Sequence, residues 1–211
     1  MILKIFAYLG MFILALNFFL FLMIFSKKEK AFKIFSIYLV IMVIIQGSSA
    51  VYQILSINNI FLSHFYFILQ FLLLSYFYLQ ILTIELQKKV VKLTIPICLI
   101  ALAIQYYFNP ELYYTFNLFE IFITSFSIIV FSMFHFYNML GGKKNYYYIN
   151  IGIFIYLFGG TFLFITGNLM NSLNRSYGNL TWMINSVLYI ICQMYFLIEF
   201  KQIVSKEKIK I

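Results

Sequence analysis

The sequence predicts an all-α, polytopic membrane protein of seven transmembrane helices, N-terminus outside and C-terminus in the cytoplasm. Three observations carry that expectation. Hydrophobic residues make up 64% of the 211 residues and charged residues only 10%, too few charges to clothe a water-facing surface. Seven apolar runs each approach the roughly 20 residues that cross about 30 Å of hydrocarbon. Finally, of the fifteen basic residues all but Lys4 and Arg175 fall beside odd-to-even junctions or in the C-terminal tail, on one face of the ladder. By the positive-inside rule that face is cytoplasmic, which implies a multi-pass protein of a bacterial inner membrane. No linker interrupts the pattern, so residues 1–211 read as one domain.

The first span, about 5–25, is too long for a signal-peptide core and lacks a small-x-small cleavage site. It is followed by Lys27, Lys28, Lys30 and Lys33 and reads as an uncleaved signal anchor. The second span, 34–55, carries Gln46, Ser49 and Gln53 on one face. The third, 65–85, carries Tyr66, Gln70 and, more loosely, Gln80, and Lys88, Lys89 and Lys92 follow it. The fourth covers 91–108.

The fifth span, 116–137, has the clearest stripe. At 100° per residue, Asn117, Glu120, Thr124, Ser127, His135 and Asn138 fall within about 80° of one another. Glu120 sits deepest in the apolar run among the acidic residues, and a buried carboxyl there is either a ligand or proton site or a hydrogen-bonded tie between helices. Its separation from His135 is roughly 22 Å along a helix, so those two cannot act as an acid-base pair, and His135 is expected to be an interfacial hydrogen-bond partner. Gly141-Gly142 ends this helix ahead of Lys143 and Lys144; without a Walker pattern it is no phosphate loop.

The sixth span, 149–168, gathers Gly152, Tyr156, Gly159, Gly160 and Gly167 on one side, a face suited to close helix packing. The seventh, 181–200, carries Thr181, Trp182, Asn185, Ser186, Tyr189 and Gln193 along a stripe. It holds no lysine before Lys201, which argues against a retinal Schiff base; Lys206, Lys208 and Lys210 complete the basic tail. With no partner for the seventh span, a six-helix inverted repeat cannot be argued. Tyrosines at 106, 107, 113, 114 and 146–148 match an interfacial belt.

The chain has no Asp and no HExxH or CxxC motif, and Cys98 and Cys192 both fall in apolar spans. No catalytic residue, metal site, disulfide framework or cofactor is expected. The sequons at Asn174 and Asn179 carry no weight in so Asn-rich a sequence. The candidate ligand or proton residues are Glu120, Thr124, Ser127, Gln70, Gln46, Asn185 and Gln193. The candidate partner- or lipid-facing residues are Lys27, Lys28, Lys30, Lys88, Lys89, Lys143 and Lys144. The polar stripes of the second, third, fifth and seventh spans converge either as a packed core or around a pocket or narrow aqueous path.

The runs HFYFILQFLLLSYFYLQIL, FNLFEIFITSFSIIVFSMFHFYNML, YYYINIGIFIYLFGGTFLFITGN and WMINSVLYIICQMYFLIEF resemble a group of uncharacterised seven-helix integral membrane proteins common in Bacteroidetes bacteria. The likeness covers about the last two thirds of the chain. It implies an acidic residue early in the fifth span, supplied by Glu120, and another in the third, where this chain has Gln70. It implies fold and topology and brings no activity. The functional expectation is a non-enzymatic sensor, accessory or scaffold that acts through a separate cytoplasmic partner, a signalling kinase or a CRISPR-type defence effector. The rival is a small transporter or channel with a polar path around Glu120. The expected partners are the lipid bilayer and that cytoplasmic protein, with a homo-oligomer possible and no direct nucleic-acid binding, since the lysines sit in short loops beside helix ends.

Overall fold

The structure is a computed structural model that describes residues 2–142, 144–171 and 176–208. Lys143, Arg175 and Lys210, together with Asn174, lie outside the described residues, as do the side chains of Lys4, Lys27, Gly167, Asn179 and Lys208. Seven helices make up the bundle: α1 Ile2–Met23, α2 Lys30–Ile54, α3 Ile60–Ile81, α4 Glu85–Phe108, α5 Leu118–Leu140, α6 Tyr147–Asn171 and α7 Ser176–Lys208. Single 3-10 turns at Phe25–Lys27 and Pro110–Tyr114 complete it, and no strand occurs among the described residues. All seven helices are long and apolar enough to cross a membrane. Helices suit such a sequence because hydrocarbon offers no partner to a backbone N–H or C=O, so each segment must satisfy its own.

The helix ends refine the spans read from hydropathy. The third span does not run 65–85: α3 begins at Ile60 and stops at Ile81, and Leu82 is extended (φ −69°, ψ 141°). Residues 82–84 are themselves largely apolar, so hydropathy runs through a backbone break it cannot register. Glu85 therefore opens α4, where its charge complements the helix N-terminus. At the other extreme α7 continues past 200 to Lys208, since a helix needs apolar residues to cross lipid and none to continue beyond it.

Six helices close a ring in the order α1, α2, α3, α5, α6, α7 and back to α1. α4 stands outside it, against α3, α5 and the Pro110–Tyr114 turn. Connections are short, so neighbours in sequence are antiparallel. One end of the bundle carries the N-terminus, and the other carries the lysines.

The lysine-rich half is solid. Phe35 of α2 is fully buried and meets Phe21 of α1 at 5.4 Å, Phe77 of α3 at 5.5 Å and Phe196 of α7 at 4.9 Å between ring centroids. Tyr146, in the α5–α6 junction, closes the plug by packing on Phe77 at 5.4 Å. Its hydroxyl donates to Glu29 Oε1 at 2.6 Å, and burial together with that carboxylate holds its pKa well above the usual phenol range. Glu199 of α7 is buried and accepts the Tyr148 N–H at 2.8 Å, capping the first turn of α6 where a negative charge is favoured. Just above, Tyr78 donates to Asn150 Oδ1 at 2.7 Å and Ser132 donates to the same atom at 2.9 Å, tying α3, α5 and α6 together. The glycine face of α6 packs on α7: a Cβ on Gly152 would lie 3.1 Å from the Cys192 carbonyl, and one on Gly159 would lie 2.7 Å from Leu188.

Candidate functional site

At the N-terminal end the interior of the ring is not filled. A cavity of about 850 Å³ opens there, lined by residues of α1, α2, α3, α6 and α7 and by Phe116 and Leu118 at the start of α5. Its polar lining includes Tyr8 from α1, Gln46, Ser49 and Gln53 from α2, Asn59, Ser63 and Tyr66 at the start of α3, Tyr156 from α6, and Thr181, Asn185, Ser186 and Tyr189 from α7. The stripes of the second, third and seventh spans thus meet around a hollow rather than in a filled core. Among the described residues, none that lines it is Asp, Glu, Lys, Arg or His.

Hydrogen bonds organise the floor of this cavity. Gln46 donates to the Tyr189 hydroxyl at 2.7 Å. The Tyr66 and Tyr156 hydroxyls lie 3.1 Å apart, and Gln70, buried beneath them, donates to Tyr38 at 3.2 Å and Tyr66 at 3.4 Å. One level further down, Asn17 of α1 donates to Gln193 Oε1 at 2.9 Å. Asn185 Oδ1 is buried without a protein partner. On the rim, Asn59 donates to Ser49 Oγ at 2.7 Å, and Trp182 packs edge-on against Phe116 and Phe164.

Glu120 lies elsewhere. It is fully buried, but in the first turn of α5 rather than deep in the span, and it does not line the cavity. Asn117 caps that turn by accepting the Glu120 N–H at 3.2 Å and pairs with Gln105 of α4, donating to Gln105 Oε1 at 2.9 Å. Glu120 Oε2 sits 2.8 Å from His64 Nδ1 and accepts the Tyr106 hydroxyl; Tyr106 also reaches His64 Nδ1 at 2.8 Å. His64 Nε2 donates to the Tyr113 carbonyl at 3.1 Å. Because a carbonyl can only accept, Nε2 carries a hydrogen, and two bare lone pairs would face each other across Nδ1 and Oε2 unless a proton lies between them. His64 and Glu120 thus share one proton across that contact, and the cluster clasps α3, α4 and α5 together. A separate cleft of about 390 Å³ beside it is lined by His64, Phe65, Ile68, Tyr106, Pro110 and Tyr113.

The seven candidate residues therefore divide by position. Gln46 and Asn185 line the cavity; Gln70 and Gln193 brace its floor. Thr124 and Ser127 spend their hydroxyls on their own helix, on the carbonyls of Glu120 and Ile123, each at 2.7 Å. His135 donates from Nε2 to the Asn145 carbonyl at 3.0 Å, and Gln80 is exposed, away from the cavity. Sequence reasoning missed His64 and Tyr106. The available signal was depth: α3 and α5 start at the same end of the bundle, so residues in their opening turns face one another. A third span begun at 65 leaves His64 just outside.

At the opposite end, Lys30 and Lys89 are exposed, Lys88 is paired with Glu85 at 2.8 Å, and Lys28 and Lys144 lie over the Phe32 and Tyr147 rings at 5.9 and 5.7 Å. Among the described residues no group of His, Cys, Asp and Glu is arranged to hold a metal. No protein family, no curated protein and no solved structure matches this chain.

Proposed function

We propose that this chain is a non-enzymatic module of a bacterial inner membrane, N-terminus outside, that takes an uncharged, hydrogen-bonding small molecule into its central cavity. We take it to pass that event to a separate cytoplasmic protein at its lysine-rich face. The observation that supports this reading is the cavity itself. It falls in the size range of small-molecule sites, roughly 300–1,000 Å³, and the described residues that line it offer amides, hydroxyls and aromatic rings with no ionisable side chain other than tyrosine. A charged ligand would enter low-dielectric surroundings with no countercharge among the described residues; an uncharged one with several hydroxyl or amide groups finds partners in Gln46, Asn185 and the tyrosine hydroxyls. Occupancy acts on the other end of the bundle only through unequal affinity for two packings of it.

The test is thermal unfolding of the detergent-purified protein against a panel of neutral and charged solutes. A neutral solute should raise the melting temperature, and the Gln46→Leu/Asn185→Leu double variant should lose that response. Charge reversal at Lys88, Lys89, Lys143 and Lys144, with orientation verified in each variant, should leave the solute response intact while abolishing the cellular phenotype. Equal stabilisation by charged solutes, or a phenotype indifferent to the lysines, counts against the reading.

A further inference from the structure

We propose that the chain is built from two copies of one three-helix unit, α1–α2–α3 and α5–α6–α7, facing each other across the cavity, and that they carry its ligand through the membrane. This rests on the reading of the cavity as a site for an uncharged, hydrogen-bonding molecule. Three observations converge on it.

The first is packing order. In each unit the middle helix packs on both flanking helices, and the third helix of each unit packs on the first helix of the other, α3 on α5 and α7 on α1. The ring therefore maps onto itself when the units are exchanged, with α4 left over as the connection. Both units run in the same sense, so the exchange axis lies along the membrane normal. The absence of an inverted repeat, read from an odd number of spans, thus conceals a parallel one.

The second is sequence placed on that packing. Ile37-Tyr38-Leu39 of α2 recurs as Ile155-Tyr156-Leu157 of α6, and Tyr66-Phe67-Ile68-Leu69-Gln70 of α3 recurs as Tyr189-Ile190-Ile191-Cys192-Gln193 of α7. Short matches between apolar helices arise by chance, but chance does not bring the matched residues together. Here the four tyrosines of the matched segments form one cluster at the cavity floor. Tyr66 meets Tyr156 at 3.1 Å between hydroxyls, Tyr156 meets Tyr189 at 5.3 Å between ring centroids, and Tyr38 joins through Gln70 at 3.2 Å. Each unit contributes two.

The third is how the far end is shut. The Tyr146–Glu29 hydrogen bond joins the α1–α2 junction to the α5–α6 junction, the corresponding junctions of the two units, and Tyr146 also packs on Phe77 of the Phe35 plug. Tyr146 holds a left-handed backbone, φ 56°, a conformation that an aromatic residue keeps only where its surroundings enforce it. Parting the junctions would open the lysine-rich end without unwinding a helix, and tilting the units together would close the present mouth. A site between two such units, open to one side and plugged on the other, is one state of an alternating-access carrier. The same opening would alter the lysine-bearing face, so carriage and signalling share one motion.

The experiment is swelling of proteoliposomes in iso-osmotic glycerol, glucose, sucrose or sodium gluconate, run beside thermal unfolding of the same protein in the same solutes. Swelling is expected in a neutral solute that also stabilises the protein, none in gluconate, and a loss to the rate of protein-free vesicles in the Gln46→Leu/Asn185→Leu variant. Glu29→Cys and Tyr146→Cys introduced together into a Cys98→Ala/Cys192→Ala background and bridged by a bifunctional maleimide should stop swelling while stabilisation by the solute persists. Stabilisation without swelling, or swelling that survives the bridge, overturns carriage and leaves the ligand reading standing. No stabilisation by any neutral solute overturns the ligand reading, and carriage with it.

Discussion

Replacing Glu120 tests whether the clasp of α3, α4 and α5 works by hydrogen bonding or by charge. Glu120→Leu removes the acceptor for Tyr106 and the partner of His64 Nδ1, two side-chain links that join α5 to α4 and α3. Interhelical hydrogen bonds in membranes average about 0.6 kcal/mol and reach about 1.7, so the pair is expected to contribute about 1–3 kcal/mol. The result should fall near the lower end, because the Tyr106 hydroxyl already lies 2.8 Å from His64 Nδ1 and can donate there once the carboxyl is gone. Glu120→Gln is different. With His64 Nε2 committed to the Tyr113 carbonyl, Nδ1 is free to accept one amide hydrogen, and the Tyr106 oxygen can accept the other. That variant should fall within about 0.5 kcal/mol of the parent, less than one average interhelical bond. The assay is equilibrium unfolding in mixed lipid and SDS micelles followed by circular dichroism, with His64→Ala alone and combined with Glu120→Leu to extract the coupling. If Glu120→Gln costs as much as Glu120→Leu, the clasp needs a charged carboxylate and the argument from shared hydrogens fails. A coupling of zero between positions 64 and 120 would show that their contact carries no energy.

Other outcomes follow from geometry in the same way. Gly152→Ala places a methyl group 3.1 Å from the Cys192 carbonyl and should destabilise the protein by about 1–3 kcal/mol, whereas Gly47→Ala, with nothing within 4 Å, should be neutral or stabilise by up to about 1 kcal/mol; the same unfolding assay reads both. Tyr78→Phe deletes the 2.7 Å bond to Asn150 Oδ1 but leaves Ser132 on that atom, so the cost should be about 0.5–1.5 kcal/mol. Reporter fusions after Lys33, Lys92, Lys144 and the C-terminus should report cytoplasm, and fusions at Asn58 and Glu111 the exterior; a reversed internal loop would remove a span from the topology.

Helix number, the polar stripes on α2, α3 and α7 and the glycine face of α6 were legible because hydropathy and a 100° period are local properties. Glu120 was legible as buried for the same reason. What it touches was not, because a period assigns a face and not a neighbour. The stripe on α5 pointed inward as expected, yet inward for Glu120 means α3 and α4, while for Gln46 and Asn185 it means the cavity. The cavity itself depends on ring order, and an antiparallel ladder of seven helices is compatible with many orders. The Tyr146–Glu29 bond spans 117 positions of sequence and leaves no periodic trace. Nor did the break at 82–84, where Leu, Thr and Ile read as more span.

α4 has one consequence that concerns ancestry more than mechanism. A unit with three crossings ends on the side opposite its start, so a second copy fused directly behind it would be threaded upside down. One further crossing corrects the parity, and any apolar helix would serve. α4 has the freedom such a spacer should have: it tolerates Pro96 in its interior, and its buried positions are few, Gln87, Val91, Cys98 and Leu102. Its polar side-chain contacts with the rest are few: Gln105 and Tyr106 in its last turns reach Asn117 and Glu120, and Cys98 Sγ lies 3.6 Å from Ser127 Oγ. Selection should therefore act weakly over most of its length, and a foreign membrane-spanning segment grafted in place of residues 88–101, with Val91 and Cys98 retained, should leave a folded protein.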